Sequence, residues 1–492
     1  MKQKAGVIGS GVAGISSAIR LALKGYDTDV FEQADRPGGK IGTLQLDGYR
    51  FDTGPSLFTM PSLVDELFEM AGKNPGDYFR YHPLTASCKY FWEDGLIINA
   101  WKDADAFARE IDDKTAVTAD RVHAFLRKSE RLYQLTNEVF LFNSFHRIRN
   151  YLSPAYRRSL FGLHELDAFV SMHKKNSHWF SDKRIVQLFD RYATYNGSNP
   201  YKTPATLNII PHLEHNIGAF FPEKGMYHII EALHTLAEEL GVRFHFNSPV
   251  EEILLDNRTV KGLRAAGKTH KFDLVTSDVD IVTLYKQMLP SIPVPRKQLS
   301  LERSTSALIF YWGINRSFPD LKLHNILFSD DYEGEFDHLF HKKTITDDPT
   351  VYIFISAKAV PEDAPPGKEN WYVMINVPEN AGQDWDKLIS RARHQILEKI
   401  RRITGIDINQ YIEKEAIADP RSIEKDTGSY RGSLYGLSSN NAFAAFSRHP
   451  NFKKWPKNLY FTGGSVHPGG GIPLCLASAK IVDKEITNCK TR

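Results

Sequence analysis

The chain has 492 residues, of which 42% are hydrophobic and 25% are charged, and its formal net charge is +3. This length exceeds one typical hydrophobic core, so we expect two or three domains, and so small a charge argues against nucleic acid as a partner. The three cysteines, Cys88, Cys475 and Cys489, are too few and too widely spaced for a disulfide framework or a zinc site, so no metal centre is predicted. They fit a reducing cytoplasm, and no stretch is long and apolar enough to predict a membrane span.

The first predicted elements are a strand, a glycine turn and a helix. Residues 5–14 read AGVIGSGVAG, which spaces Gly9, Gly11 and Gly14 as in a dinucleotide-binding turn. The first glycine permits the turn, the second lets a pyrophosphate approach backbone N–H groups at the helix N-terminus, and the third lets helix and strand pack closely. About twenty residues later a second strand ends at Glu32, an acid suited to a pair of ribose hydroxyls. A purely structural turn is the alternative.

A basic turn and a further glycine motif come next. Residues 36–40 read RPGGK, so a glycine pair lies between the cations Arg36 and Lys40 and can run flat beside a phosphate. A solvated basic turn is the other interpretation of this motif. Residues 52–55 read DTGP, and residues 61–72 then predict a short helix that ends at Gly72.

The alternation of strands and helices is lost between residues 78 and 221, which predicts an inserted region. Residues 88–99 predict a hairpin. Residues 139–164 contain no acid, and their cations lie among aromatic residues; the cations are Arg147, Arg149, Arg157 and Arg158. This composition is typical of a helix that lies on anionic lipid headgroups. A helical lid that packs against its own domain is the alternative.

Residues 222–280 are predicted to return to the nucleotide-binding domain. An amphipathic helix over residues 229–240 ends at a glycine. It is followed by a predicted strand pair at residues 242–246 and 249–255, and then by a strand at residues 272–276. A central strand of the nucleotide-binding sheet is therefore expected here.

A second excursion covers residues 281–417. It contains β-rich runs at residues 306–314, 350–356 and 371–377. A helix is predicted at residues 385–403, with Gly405 as its stop. Strands backed by a helix are expected to form the floor of a long apolar pocket.

Near the C-terminus, residues 458–473 read NLYFTGGSVHPGGGIP and lead into a predicted helix. A strand that ends in Gly463 and Gly464 and feeds a glycine-rich helix start offers backbone N–H groups to an electron-rich partner. Cys475 lies among leucines on this helix, which favours a structural thiol over a covalent attachment point for a cofactor.

Together these motifs resemble the flavin-binding parts of the amine oxidase and carotenoid desaturase superfamily. The C-terminal motif is similar to that of bacterial-type carotenoid (phytoene) desaturases, and residues 54–59 with residues 467–474 look nearest to the branch that desaturates the 3,4 bond of hydroxylated or half-cyclised carotenoids. The resemblance implies an α/β fold with a Rossmann-like FAD-binding domain assembled from discontinuous segments, a mixed α+β substrate domain, and a helical lid or membrane-facing region. It also implies that the dinucleotide is FAD, bound non-covalently.

The motifs and the resemblance define the expected site. The expected cofactor-binding residues are Gly9, Gly11, Val12, Ala13, Gly14, Glu32, Gln33, Arg36, Gly38, Gly39, Lys40, Gly54, Pro55, Val250, Ser277, Gly463, Gly464, Gly471, Ile472 and Pro473. In the resembling families Val250 or its neighbour reaches the adenine through backbone groups, and residues 277–278 end a central strand near the flavin. No acid–base pair or nucleophilic triad is evident. His467 and Arg431 are candidates for orienting groups, and a structural role for each is the alternative.

The resemblance implies dehydrogenation of a C–C bond beside a polyene, with hydride transfer from an allylic carbon to the flavin. We expect 3,4-desaturation of a hydroxylated or monocyclic (gamma-carotene-type) carotenoid. Phytoene desaturation, redox-neutral carotenoid isomerisation and simple carotenoid transport remain alternatives. The run of glycines at residues 469–471 stands where an amine oxidase would carry an aromatic ring, which leaves room for a flat polyene.

The expected partners are the carotenoid, quinone or oxygen as electron acceptor, and a membrane surface that this cytoplasmic protein contacts from one side. The chain divides into three segments of the FAD-binding domain, at residues 1–77, 222–280 and 418–492. Residues 78–221 form the inserted, membrane-facing helical region, and residues 281–417 form the substrate-binding domain.

Overall fold

The computed structural model describes residues 2–144, 147 and 162–489. The strands in these ranges are β1 (Lys4–Ile8), β2 (Asp27–Phe31), β3 (Thr43–Leu46), β4 (Tyr49–Asp52), β5 (Tyr81–Pro83), β6 (Ala86–Phe91), β7 (Ile97–Trp101), β8 (Phe220–Pro222), β9 (Arg243–His245), β10 (Val250–Asp256), β11 (Thr259–Ala265), β12 (Lys268–Lys271), β13 (Leu274–Ser277), β14 (Ser306–Ile314), β15 (His324–Leu327), β16 (Val351–Phe354), β17 (Glu369–Val377), β18 (Ile412–Ala418) and β19 (Leu459–Phe461).

The α-helices in the same ranges are α1 (Val12–Leu23), α2 (Ser62–Met70), α3 (Ala104–Lys114), α4 (Ala119–Thr136), α5 (Met172–Trp179), α6 (Lys183–Asp190), α7 (His228–Glu239), α8 (Ile281–Gln287), α9 (Arg296–Ser300), α10 (Tyr332–Asp337), α11 (Trp385–Thr404), α12 (Pro420–Thr427), α13 (Ala444–Ser447) and α14 (Ile472–Asp483). Over the described part of the chain, none of them combines the length and the hydropathy that crossing a bilayer requires. The helix predicted to lie on a membrane, at residues 139–164, falls largely outside the described residues.

A five-stranded parallel sheet forms the nucleotide-binding half, in the order β19-β13-β1-β2-β9. Its central strand β1 is buried at four of its five positions, as expected for a parallel strand covered on both faces. The strands come from residues 1–77, 222–280 and 418–492, so three distant parts of the chain build one sheet. This arrangement confirms the predicted Rossmann-like fold assembled from discontinuous segments.

The predicted strand pair at residues 242–246 and 249–255 is wrong. β9 pairs in parallel with β2, whereas β10 pairs with β11 in a separate three-stranded antiparallel sheet. The open edge of β2 needs a partner for its backbone groups, and β9 supplies it. A hydrophobic pattern identifies a strand but does not identify which edge it joins.

A seven-stranded mixed sheet forms the other half, in the order β18-β14-β17-β16-β15-β6-β7. All nine residues of β14 are buried, and β17 and β18 flank it as antiparallel neighbours. β6 and β7 form the predicted hairpin and extend the sheet through the parallel pairing of β6 with β15. Helix α11, which ends at Gly405 as predicted, covers one face.

The β3–β4 hairpin ties the two halves together. The Arg50 guanidinium donates to Asp363 at 3.0 Å and to Asp52 at 2.9 Å. Asp52 also accepts the backbone N–H groups of Met226 and Tyr227, at 2.9 and 3.2 Å, just before α7. The acid of the DTGP motif therefore joins the first segment of the FAD-binding domain, residues 1–77, to the second, residues 222–280.

Candidate functional site

The first glycine turn is packed too tightly for side chains. Gly9 has φ +90° and donates its N–H to Phe31 O at 2.9 Å. A Cβ atom on Gly14 would lie 2.1 Å from Gly9 O, and one on Gly11 would lie 2.4 Å from Asp278 Oδ2. Helix α1 starts directly after Gly11, and within its first turn the N–H of Gly14 donates to Asp278 Oδ2 at 3.1 Å. The first turn also contains the predicted residues Val12 and Ala13, both buried.

Glu32 organises the ribose end of the expected site. Its carboxylate accepts the N–H and the hydroxyl of Ser10, both at 2.8 Å, and the N–H of Ala34 at 2.9 Å. Its backbone carbonyl accepts Ser248 N–H at 2.8 Å, and Val250 begins β10 two residues later. The structure therefore brings Glu32 and Val250 to the same end of the glycine turn.

The second glycine motif lies directly against the first. A Cβ atom on Gly39 would lie 3.3 Å from Gly11 Cα, and one on Gly54 would lie 2.0 Å from Lys40 O. Lys40 Nζ donates to Leu434 O at 2.6 Å. The second glycine motif thus contacts both Gly11 near the N-terminus and Leu434 near the C-terminus. The predicted Gly38 donates its N–H to the same turn, and Pro55 follows Gly54 in a half-buried position.

The C-terminal motif closes this ring of contacts. A Cβ atom on Gly463 would lie 2.2 Å from Asp278 Oδ1, and one on Gly464 would lie 3.1 Å from Gly470 Cα. A Cβ atom on Gly470 would lie 2.9 Å from Tyr435 Cα. We call this set the glycine ring, defined by Gly11, Gly39, Lys40, Gly54, Asp278, Leu434, Tyr435, Gly463, Gly464 and Gly470.

Two helix N-termini meet at the glycine ring. α1 follows β1 and α14 follows β19, and both strands belong to the parallel sheet, so the two helices begin at the same edge. Gly471 is the N-cap of α14 with φ +105°, and nothing lies within 4 Å of the position that its Cβ would take. The predicted Ile472 and Pro473 form the first turn. Backbone N–H groups at such N-termini favour a bound anion.

The glycine ring encloses an interior space. Lys40 keeps exposed surface, and Asp278, Tyr435 and Cys475 are only half-buried. Yet burial lowers the pKa of Lys40, raises the pKa of Asp278 to about 7, and raises the pKa of Tyr435 to about 12. Their accessible surface and their desolvation together indicate a space beside the glycine ring that protein shields from bulk water, and we call it the enclosed space.

An aromatic face of the seven-stranded sheet closes the other side of this space. Tyr372 and Tyr352 lie on neighbouring strands with ring centroids 6.3 Å apart, and Met374 pairs with Tyr352 and remains partly accessible. Tyr352 OH is 2.6 Å from Ser56 Oγ, two residues after Gly54 of the glycine ring, so this aromatic face lies beside the ring. Burial is the largest cause that raises the pKa of Tyr372. The space therefore has a backbone wall on one side and an aromatic wall on the other.

Arg448 is a buried cation directly behind the glycine run. A Cβ atom on Gly469 would lie 3.1 Å from both Cζ and Nη1 of Arg448. Nη2 donates to Asn196 Oδ1 and Ser439 Oγ at 3.2 Å, whereas Nη1 has no partner among the described residues. Burial alone lowers the pKa of Arg448 to about 10. A cation buried with only neutral acceptors favours an electron-rich ligand nearby.

The two candidates for orienting groups are both held by the protein. Arg431, which has φ +56°, forms an ion pair with Glu379 at 3.4 Å. The buried His467 ring is 3.0 Å from Asn143 O through Nε2. Their assignment as orienting groups stays a prediction.

Three other predicted residues lie at the margins of the glycine ring. Gln33 and Arg36 are exposed, and their side chains donate to the backbone carbonyls of Asp426 in α12 and Thr43 in β3, respectively. Ser277 is buried at the end of β13, where its carbonyl accepts Thr462 N–H at 2.8 Å. Sequence reasoning missed Tyr435 and Arg448, because neither lies in a motif and each meets a glycine through tertiary contact alone.

A parallel sheet whose edge carries two glycine-bounded helix N-termini and an acid after the second strand defines a dinucleotide-binding protein. Residues 12–485 match the family described as flavin containing amine oxidoreductase. The chain therefore belongs to this family and is an FAD-dependent oxidoreductase.

Similar proteins extend over the whole chain. A 1-hydroxycarotenoid 3,4-desaturase of Flavobacterium sp. (strain P99-3) is 47% identical over 489 residues, which cover 99% of each chain. A phytoene desaturase of Fusarium fujikuroi is 31% identical over 525 aligned positions, covering 99% of this chain and 89% of the relative. Among solved structures, an oxidoreductase from Methanosarcina mazei matches with a TM-score of 0.64 and 16% identity, covering 98% of this chain and 100% of that one. This last likeness shows the fold.

The residues of the site fit a flavin dinucleotide. Gly11 and Gly14 have no room for side chains, so no side chain at these positions blocks the approach of a pyrophosphate to the backbone. The C-terminal motif has open space at Gly471. Beside it lies Arg448, whose Nη1 has no partner among the described residues. The ribose, the phosphates and the ring would thus be held by Glu32, by the start of α1, and by residues 463–473.

Proposed function

We propose that this chain is an FAD-dependent carotenoid desaturase that introduces the 3,4 double bond into a hydroxylated or monocyclic carotenoid. The observation that carries the proposal is the full-length, 47% identity with a protein named 1-hydroxycarotenoid 3,4-desaturase. The enclosed space between the glycine ring and the aromatic face of the seven-stranded sheet supports it, because a flat polyene fits between two such walls.

Bound FAD supplies the hydride acceptor for this reaction. The protein supplies the walls: residues 469–471 carry no side chain that would cover the flavin, and the aromatic residues Tyr352 and Tyr435 keep accessible surface beside the enclosed space. Loss of hydride from one carbon leaves positive charge on the polyene, which aromatic faces attract, and loss of a proton from the adjacent carbon then forms the double bond. The chain's contribution is thus to orient the polyene, to exclude water and to stabilise the cation.

We infer that the flavin is bound without a covalent link. Cys475 is the thiol beside the glycine ring, with Sγ 3.8 Å from the position that a Cβ on Gly464 would take. Burial raises the pKa of Cys475 to about 12, so the thiol stays protonated near neutral pH and is a poor nucleophile. Unfolding in acid should release all of the FAD into the supernatant.

Anaerobic mixing with a hydroxylated carotenoid tests the function. A desaturase should bleach the flavin absorbance while the polyene spectrum shifts to the red, because the conjugated system lengthens. An isomerase would leave the flavin oxidised and change only the cis/trans pattern. A carrier would return the carotenoid unchanged on chromatography. Readmission of oxygen, or addition of a quinone, should restore the flavin spectrum and identify the acceptor.

We further propose that this cytoplasmic protein contacts a membrane at its periphery, because the carotenoid must come from lipid. Phe169 and Phe443 support this idea: they are 87% and 63% exposed, and their ring centroids are 6.4 Å apart. Exposed aromatic pairs of this kind are typical of interfacial contacts. Changing both residues to Ser should reduce co-sedimentation with liposomes severalfold, whereas Ile417→Ser, on exposed β18, should not.

A further inference from the structure

A chain of three hydrogen-bonding side chains leads from the glycine ring into the seven-stranded sheet. Ser56 Oγ is 2.6 Å from Tyr352 OH, and Tyr352 OH is 2.7 Å from His324 Nδ1. Ser56 follows Gly54 of the glycine ring by two residues, and the other two lie on the adjacent strands β16 and β15. We call these three residues the Ser56 relay. Ser56 lies within residues 54–59, whereas Tyr352 and His324 lie outside the motifs of the flavin site.

The inner end of the Ser56 relay is closed. His324 is 2% exposed and stacks on Phe354 at 5.1 Å between ring centroids. Burial lowers the pKa of His324 to about 3, so the imidazole is neutral near pH 7 and carries one proton. Its Nε2 has no partner among the described residues. Any further partner of the relay must therefore meet it at the other end, at Ser56.

The proton count leaves one hydrogen-bonding position open at Ser56. If His324 donates to Tyr352 and Tyr352 donates to Ser56, the Ser56 hydroxyl still has its proton to donate outward. If the directions are reversed, Ser56 Oγ still has lone pairs that can accept from outside. The relay can thus bind a group that donates or one that accepts. An alcohol, which does both, fits either direction.

The open end borders the enclosed space. Tyr352 keeps accessible surface although burial raises its pKa, as found for the residues of the glycine ring. Ser56 is likewise half-buried. The surroundings are apolar, with Met374 paired to Tyr352 and Phe58 fully buried two residues after Ser56. The two hydroxyls are therefore polar groups in an otherwise apolar wall.

We propose that Ser56 and Tyr352 bind the tertiary hydroxyl of a 1-hydroxylated carotenoid end group and so place its 3,4 bond at the flavin. This inference rests on the proposed function. Four bonds separate the hydroxyl oxygen from C4, a span of roughly 5 Å at ordinary bond lengths. A hydroxyl held at Ser56 therefore keeps the 3,4 bond within about this distance of the anchor, and Ser56 follows Gly54 of the glycine ring by two residues.

The other large buried polar cluster does not offer such an anchor. Glu214 accepts hydrogen bonds from Ser87, Tyr192 and Tyr195, and the Arg191 guanidinium lies 3.7 Å from it. Its carboxylate is already satisfied by these partners. The Ser56 relay, by contrast, ends at the Ser56 hydroxyl, which has one hydrogen-bonding position open.

The test compares two acyclic polyenes that differ only in having a hydroxyl or a hydrogen on C1. Ser56→Ala and Tyr352→Phe should lower kcat/KM for the hydroxylated polyene about 10–100-fold, because a buried hydroxyl loses its partner. For the polyene without the hydroxyl, both variants should stay within about threefold of wild type. Ser56→Thr, which keeps the hydroxyl, should retain the preference, and Tyr311→Phe on β14 is the matched control.

The outcomes separate the two proposals. Equal losses on both polyenes, with full FAD content, would overturn the role of the Ser56 relay and leave the desaturase function intact. If the wild-type protein converts neither polyene, the proposed function itself is wrong, and the relay inference falls with it. Tyr352→Phe gives the same comparison if Ser56→Ala does not fold, and dissociation constants from the polyene spectrum should follow the same pattern.

Discussion

The five-stranded parallel sheet and the seven-stranded mixed sheet border one interior space, but they contribute to it in different ways. The parallel sheet presents backbone, through glycines at strand ends and helix starts. The mixed sheet presents side chains, such as Tyr352 and Tyr372, from the middle of strands. A backbone wall depends on the absence of a Cβ atom and leaves a short motif in the sequence. A side-chain wall depends on which strands become neighbours, and it leaves no such motif in the sequence.

The largest effect is expected in the backbone wall. Gly11→Val should abolish bound flavin, because the new side chain would occupy the path by which a pyrophosphate reaches the start of α1. The fold should survive, since the nearest atom to the new Cβ is the movable Asp278 carboxylate. The yellow chromophore and the circular dichroism of the purified variant provide the measurement. Gly76→Ala, whose Cβ would meet nothing closer than 3.6 Å, is the control, and stoichiometric FAD in Gly11→Val would contradict the assignment.

The link between the two sheets should be the next most sensitive point. Arg50→Ala leaves Asp52 and Asp363, whose side chains are 1% and 2% exposed, without their cation. Breaking a buried pair of this kind costs about 3–5 kcal/mol of unfolding free energy. Urea denaturation should show this loss, and adding Asp52→Asn and Asp363→Asn to the variant should recover part of it. A midpoint equal to that of wild type would show that the hairpin does not couple the halves.

The pH dependence of stability should identify Asp278. Burial raises its pKa to about 7 in the folded protein, whereas an unfolded aspartate titrates near 3.9. Between these values the folded state holds a proton that the unfolded state has lost, so stability falls as the pH rises from about 4 to about 7. In the apoprotein, Asp278→Asn should remove this pH-dependent loss of unfolding free energy, which is on the order of 2–4 kcal/mol over the whole range. Glu335, with its pKa raised to about 7, adds a slope of the same sign that Glu335→Gln should remove separately.

The smallest expected effect concerns Arg448. Its charge has no carboxylate to offset it and lies behind Gly469, so it should favour the reduced flavin, which carries more negative charge. Arg448→Gln should therefore lower the two-electron reduction potential by roughly 30–60 mV, measured by spectroelectrochemistry. Arg303 is also buried, but Asp280 and Glu379 act against its lowered pKa, so Arg303→Gln should change the potential less. Equal potentials in wild type and Arg448→Gln would refute an electrostatic role.

The sequence predictions hold for local features and fail for contacts between distant parts of the chain. The hairpin at residues 88–99 and the helix before Gly405 are local features, and both are present. The pairing of residues 242–246 with residues 249–255 is wrong, because both runs are strands but their partners lie elsewhere in the chain. Tyr435 and Arg448 were missed because no motif surrounds them in the sequence. They meet Gly470 and Gly469, respectively, only in the folded structure.

The sequence by itself determined the cofactor half of this protein. Three glycines with a strand before them and a helix after them, an acid after the next strand, and the C-terminal glycine run identify a flavin site, because each requirement is met by residues close together in the chain. Tertiary structure alone decided the side-chain arrangement of the other half: it set Ser56, Tyr352 and His324 in one hydrogen-bonded line from three separate segments. The physical reason is that glycine acts through local backbone geometry, whereas a binding wall of side chains exists only after distant strands have paired.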